Sequence, residues 1–144
     1  MKKILFVCSG NTCRSPMAEA VFNHLAKKHN LDAVAYSAGL YTSDGLPYSP
    51  NSVEVLRENG IKLSGSSKQI NEKLLDECDY VFGLTYSLST ALVSAFPGKS
   101  DKIYRFPLEV PDPFGGDLGL YKRSLAKITE GIEKIIKAVK SREE

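Results

Sequence analysis

The sequence predicts one α/β domain: an open sheet of four parallel strands with helices on both faces. Three observations carry this reading. Four short strand-like runs are separated by stretches with helical spacing, the order that gives parallel strands joined by right-handed crossovers. The first run, Lys3-Ile4-Leu5-Phe6-Val7-Cys8, is apolar at nearly every position, as suits a strand covered on both faces. The chain has 144 residues, enough for one core and too few for two, so residues 1–144 read as a single domain.

The elements follow in order. After the first strand comes a glycine-bearing loop, Ser9 to Arg14. Ser15 then reads as an N-cap and Pro16 as the first helical residue, with Glu19 adding acid to the first turn. Met17, Ala20, Val21, His24 and Leu25 recur at helical spacing and give this helix one apolar face. Val34 to Gly39 reads as the second strand, and Leu40 to Pro50, rich in turn formers, as a loop. Ser52 to Asn59 forms a short helix stopped by Gly60, and Asn71 caps another that runs to about Glu77. Tyr80 to Leu84 is the third strand. Ser87 to Phe96 is helical and ends at Pro97-Gly98, and Lys102 to Phe106 is the fourth strand. Leu120 to Lys140 is the longest helix, with Ile128, Ile132, Ile135 and Val139 on one face. Its charged end, Lys137 to Glu144, is expected to fray into solvent.

Composition narrows the function. Hydrophobic residues at 42% and charged residues at 25% are the balance of a globular chain rather than a disordered one. Nineteen basic against 17 acidic side chains leave a formal charge of +2, too close to neutral for a nucleic-acid coat or a polybasic membrane surface. No apolar run approaches the ~20 residues a membrane span needs. Met1-Lys2-Lys3 has the charge of an export signal without the roughly 7–15 apolar residues that should follow. Cys8, Cys13 and Cys78 are an odd set, too few to staple a secreted fold, so a reducing cytoplasmic setting with free thiols is expected.

The informative segment is Cys8-Ser9-Gly10-Asn11-Thr12-Cys13-Arg14-Ser15. It leaves the carboxyl end of the first strand and enters a helix, the place where open α/β sheets bind ligands. A helix start offers unpaired N–H groups and a positive dipole end, which suit an anion. Gly10 and Asn11 tolerate the positive φ that turns successive N–H groups inward around a tetrahedral oxyanion. Arg14 adds a bidentate grip on phosphate oxygens, and Cys8 lies at the base, where the same field favours its thiolate. Ser15 is placed to donate to that sulfur. Neither G-x-x-x-x-G-K-[ST] nor G-x-G-x-x-G follows the first strand, so nucleotide binding fits less well than thiol attack on a bound phosphoester. Breaking such an ester needs an acid for the leaving group. Asp112, held between Pro111 and Pro113, has a stiff backbone that would aim its carboxyl, which could later take a proton from water.

Cys8, five residues, then Arg14-Ser15, together with the late Asp112-Pro113 and Ser37-Ala38-Gly39 after the second strand, resemble the low-molecular-weight protein tyrosine phosphatases. The resemblance spans essentially the whole chain. It implies a flavodoxin-like sheet and hydrolysis through a cysteinyl-phosphate, without metal or other cofactor. By position, Cys8 would be the nucleophile, Arg14 the phosphate clamp and Asp112 the general acid. Ser9 to Ser15 would surround the phosphate, and Asn11 would hold the loop in shape with Ser37. Cys13 would be the redox neighbour able to form a reversible disulfide with Cys8. Phosphorylated proteins are the implied partners, with no nucleic acid and no membrane, and the chain is expected to act as a monomer.

Two departures stand out. A histidine that braces the loop in many relatives is Gly65 here, and a second aromatic after Asp-Pro is replaced by Gly115. Thr12 and Asp112-Pro113-Phe114-Gly115-Gly116 are similar to the bacterial protein arginine phosphatase branch, where tyrosine-specific members commonly place a bulky aliphatic residue at the threonine. A small hydroxylated side chain leaves room and a partner for a guanidinium, so phosphoarginine is placed somewhat ahead of phosphotyrosine. Leu40, Tyr41 and Phe114 are the expected walls of the substrate opening. Taken alone, a cysteine ending a buried strand is more often a packing residue, and Asp-Pro more often a turn. It is their pairing that favours chemistry. Cys78 reads as core, and His24 and His29 as surface rather than as metal ligands. Arsenate reduction would need a relay of further cysteines, for which the chain offers only Cys78. A non-catalytic phosphoprotein-binding module would not need both Cys8 and Asp112.

Overall fold

A strand with no polar face must be covered twice, and β1 (Lys2–Cys8) sits where that happens. The computed structural model describes residues 1–143, and side chains through residue 141. After β1 come α1 (Arg14–Lys28), β2 (Ala33–Gly39), α2 (Pro50–Glu58), α3 (Glu72–Glu77), β3 (Tyr80–Gly83), α4 (Tyr86–Ala95), a 3₁₀ turn (Pro97–Lys102), β4 (Ile103–Arg105) and α5 (Leu118–Glu143). The four strands form one parallel sheet in the order β2-β1-β3-β4. Ile4, Leu5, Phe6 and Val7 are 0% exposed, so both faces of the central strand are covered.

One face carries α1 and α5. Phe6 meets Phe22 of α1, and Ile4 shares a groove with Ile135 and Val139 of α5. On the other face Ser89 of α4 lies against Gly83, the residue opposite Val7 in register. The apolar stripe predicted for the last helix is the buried face of α5, and α2 packs on α1 and α5. Because β2 and β3 flank β1 on opposite sides, the connections diverge there, opening a crevice at the carboxyl end of β1.

Several boundaries differ from the sequence expectation, each for a physical reason. α1 begins at Arg14, with Cys13 at the N-cap position and no side chain capping it. Ser15 is therefore not the cap, and Pro16 is the third helical residue, where an N–H would be unpaired in any case. Glu19 falls beyond the first turn, which holds no acid. His24 is exposed, while Ala18 and Phe22 complete a buried face widened by contact with both sheet and α5. α2 starts at Pro50 and α4 at Tyr86, the latter because Thr85 accepts the Leu88 N–H. Asn71 does cap α3, accepting the Leu74 N–H at 2.8 Å.

The fourth strand keeps only Ile103–Arg105. Lys102 belongs instead to the 3₁₀ turn, and its ammonium donates to the carbonyls of Leu75 and Cys78 at the end of α3. Phe106 still donates its N–H to the Gly83 carbonyl at 3.0 Å but lies just past the strand's last paired residue, its ring buried edge-on against Phe6. α5 starts at Leu118 and continues through Glu143 rather than ending near Lys140, and Glu144 lies outside the described residues. Among the described residues no helix is long and apolar enough to cross a membrane.

Candidate active site

The loop between β1 and α1 closes on itself around a sulfur. Asn11 takes φ +54°, the left-handed turn expected of it, and its backbone N–H donates to Cys8 Sγ at 3.2 Å. Ser15 Oγ lies 2.9 Å from the same sulfur. Asn11 Nδ2 donates to Ser15 Oγ at 2.8 Å, and the serine hydroxyl itself has the Ala38 carbonyl within 3.4 Å as well as the sulfur. Asn11 Oδ1 accepts the Lys68 N–H at 2.8 Å, so this one side chain ties the loop to its own helix start and to the segment before α3. The Cys8 sulfur thus has the Asn11 N–H aimed at it and the Ser15 hydroxyl within hydrogen-bond reach.

The outward-facing carbonyls of the loop are also held. Ser49, just ahead of α2, donates its N–H to the Thr12 carbonyl at 2.8 Å, and Ser52 Oγ donates to the Cys13 carbonyl at 3.2 Å. Beneath the loop lies Gly39, where a Cβ would come within 2.9 Å of the Ser9 carbonyl oxygen and 3.0 Å of the Asn11 nitrogen. The cup rests directly on β2. At the uncapped start of α1 the free N–H groups and the dipole face the same space, the arrangement that binds an oxyanion.

Arg14 joins this cup to the distant acid loop. It is 5% exposed, donates to the Val110 carbonyl at 3.1 Å, and lies 3.7 Å from Asp112 Oδ2. Asp112 Oδ1 accepts the Phe114 N–H at 3.1 Å, so the carboxylate is turned by its own loop, and its side chain stays about half exposed beside the cup. The two motifs, at opposite ends of the chain, thus meet at one guanidinium.

Around the cup runs a groove of about 610 Å³ lined by Thr12, Leu40, Tyr41, Leu46, Gln69 and Phe114. Tyr41 and Phe114 are each 76% exposed and stand as walls, while Leu40, at 6%, forms buried floor. Gly115, at φ +78°, carries no side chain to raise the wall beside Phe114. Ser9, Gly10 and Thr12 are half-buried on the rim, and Cys13 is buried behind it. All three cysteines are free thiols.

Ser37 is the correction. Its hydroxyl donates to Glu19 Oε1 at 3.3 Å and shares a hydrogen bond with Tyr48, while both ends of the Asn11 amide are taken by Ser15 and Lys68. Ser37 pairs with Phe6, two residues short of the register that puts Gly39 beside Cys8, so it lies behind the cup rather than in it. At Gly65 an added Cβ would stand 3.4 Å from the Tyr48 hydroxyl, so the space beside the missing histidine is filled by this phenol. Burial pushes the Glu19 carboxyl up despite the nearby Lys68, and pushes the Tyr48 phenol up as well, the charge of Glu19 adding to it.

Sequence reasoning missed the supports: Ser49 and Ser52 on the α2 side, the Val110 carbonyl, and Tyr121 and Ser124 on α5. Tyr121 Oη lies 3.3 Å from Cys13 Sγ, and Ser124 donates to the Pro111 carbonyl at 3.2 Å. Two polar residues three apart, on the face that continues into Leu125 and Ile128, were the signal available for the last pair.

Comparison with known proteins agrees with this geometry. A protein-arginine-phosphatase of Bacillus subtilis (strain 168) is 35% identical over 95% of this chain and 96% of its own. A low molecular weight protein-tyrosine-phosphatase of Staphylococcus haemolyticus is also 35% identical, over 92% of this chain and 96% of its own. Among solved structures, a low molecular weight protein tyrosine phosphatase from T. tengcongensis superposes with a TM-score of 0.91 at 39% identity, covering 96% of this chain and 99% of that one. A YwlE arginine phosphatase superposes at 0.93 with 34% identity, covering 96% and 95%; it is a cysteine-to-serine variant whose active-site serine is phosphorylated. The family model described as low molecular weight phosphotyrosine protein phosphatase matches residues 3–144, and the chain belongs to that family.

Proposed function

We propose that the chain hydrolyses phosphorylated protein side chains through a cysteinyl-phosphate on Cys8, with phosphoarginine as its preferred substrate class. The observation that carries this is the meeting of a doubly hydrogen-bonded Cys8 sulfur, the Arg14 guanidinium and the Asp112 carboxyl at one helix start. The Cys8 thiolate attacks phosphorus in line, forming an S–P bond as the bond to the leaving nitrogen or oxygen breaks. The helix-start N–H groups and Arg14 hold the three non-bridging oxygens. Asp112, protonated in this step, gives its proton to the leaving atom. In the second step the same carboxylate takes a proton from water, which displaces phosphate from sulfur and returns the thiolate.

Thr12 and Phe114 facing one groove, with Gly115 leaving a low wall, support a guanidinium substrate over a flat phenol. Two relatives named protein-arginine-phosphatase, at 35% and 31% identity, support the same preference. The working environment we infer is the cytoplasm, with the chain acting as a monomer on phosphorylated proteins. Hydrolysis of matched phosphoarginine and phosphotyrosine peptides by wild type and Thr12→Ile tests the substrate class. The expected result is faster turnover of phosphoarginine, moved toward phosphotyrosine by the substitution. An unchanged ratio would remove Thr12 as the selector.

A further inference from the structure

α5 begins directly after the acid loop, and two of its buried side chains turn toward the site. Tyr121 is 3% exposed; its hydroxyl accepts a hydrogen bond from Ser49 Oγ at 3.0 Å and lies 3.3 Å from Cys13 Sγ. Since Ser49 donates, the phenol proton is free for the sulfur. Ser124, fully buried, sits three residues on and therefore on the same helical face. A serine inside a helix ordinarily returns its proton to a carbonyl of its own preceding turn. Ser124 donates instead to the carbonyl of Pro111, the residue that precedes Asp112.

One rigid turn is thus hydrogen-bonded at one end to the loop that carries Cys8 and at the other to the residue that aims the acid. The cup has its own ties to α2 through Ser49 and Ser52, and the acid loop is held to the end of β3 by the Val110 N–H on the Leu84 carbonyl. Arg14 links the two parts directly, through the Val110 carbonyl and Asp112, and the first turns of α5 make a second link through Tyr121 and Ser124. We propose that Tyr121 and Ser124 are positioning residues, and that the first turns of α5 set the spacing between the phosphate cup and Asp112. This rests on the catalytic reading above. Proton transfer works only within hydrogen-bond reach of the leaving atom, so small errors in that spacing are costly.

The test compares kcat/KM for two aryl phosphates in wild type, Ser124→Ala, Ser124→Thr and Tyr121→Phe. Phenyl phosphate has a leaving group that needs a proton, and 2,4-dinitrophenyl phosphate has one that does not. Competitive inhibition by inorganic phosphate reads the cup alone. Ser124→Ala is expected to lower kcat/KM for phenyl phosphate by about 10-fold or more, on the scale of a misplaced catalytic group. The dinitrophenyl ester and phosphate inhibition should stay near wild type. Ser124→Thr, which keeps the hydroxyl, should restore phenyl phosphate turnover. Tyr121→Phe, which keeps the ring and cuts the other end of the tie, should repeat the selective loss. Equal losses on both esters, or none on either, would overturn the inference while leaving the phosphatase reading standing. Absence of leaving-group selectivity in Asp112→Asn would instead sink the acid assignment, and this inference with it.

Discussion

At the scale of single residues, the division of labour between Cys8 and Asp112 makes distinct predictions. Asp112→Asn removes the transferable proton while leaving the cup intact. It should lower turnover of poor leaving groups by about 10²–10⁴-fold, the range general acids contribute, with a much smaller loss on activated esters. Steady-state rates on the two ester types decide this, and equal losses would argue for a structural aspartate. Ser15→Ala takes away a hydroxyl lying 2.9 Å from the sulfur. Alkylation of Cys8 by iodoacetamide at one fixed pH should slow, while inorganic phosphate still binds. An unchanged rate would mean the Asn11 N–H carries the sulfur alone.

The residues proposed to do the chemistry were readable in the sequence because their types are rare in combination and their spacing is local. Cys8 to Ser15 is one unbroken loop, so its geometry is contained in its own order of residues. Ser37 was misplaced because it depends on strand register and on what the Asn11 amide finds first, neither of which is written locally. Tyr48 filling the space beside Gly65 is likewise a contact between two loops that no periodicity marks.

At the scale of elements, the strongest constraint is where the cup rests on β2. Gly39→Ala would push a Cβ against the Ser9 carbonyl and the Asn11 nitrogen at about 3 Å, backbone atoms with little freedom to move. The expected cost is about 1–3 kcal/mol in urea unfolding, as for overpacked sites, together with weaker inhibition by phosphate. Wild-type stability with wild-type phosphate affinity would show that the loop has slack. α3 offers a simpler test. It has six residues and one side-chain cap, so Asn71→Ala should cost about 0.5–2 kcal/mol with turnover unchanged.

Strands and long helices were legible because hydrophobic alternation and helical spacing reflect burial directly. Helix starts were not. The β1–α1 turn tightens around a sulfur, so Arg14 begins the helix and Ser15 serves Cys8 instead of capping. The fourth strand lost Lys102 to a tertiary demand, its ammonium being taken by the carbonyls at the end of α3.

At the scale of the whole molecule, pH links stability to burial. Burial pushes the Cys78 thiol up to about 11, and it raises the Tyr48 and Tyr121 phenols too. Below the ordinary thiol range both folded and unfolded chains keep the proton, so nothing is lost. Above it the unfolded chain ionises first, so stability should fall as pH rises toward about 11. Cys78→Ala should make that decline shallower in denaturant unfolding between pH 8 and 10.5, and an unchanged slope would mean the thiol is not held by the fold.

The central claim is that phosphorus passes through the Cys8 sulfur. The most direct test is rapid acid quench of Asp112→Asn, in which the proposed role of Asp112 would slow dephosphorylation, after mixing with an activated phosphate ester, followed by phosphopeptide mapping. Phosphate on Cys8 in stoichiometric amount, absent from Cys8→Ala, is the predicted result. Phosphate on any other residue, or undiminished turnover by Cys8→Ala, would contradict it.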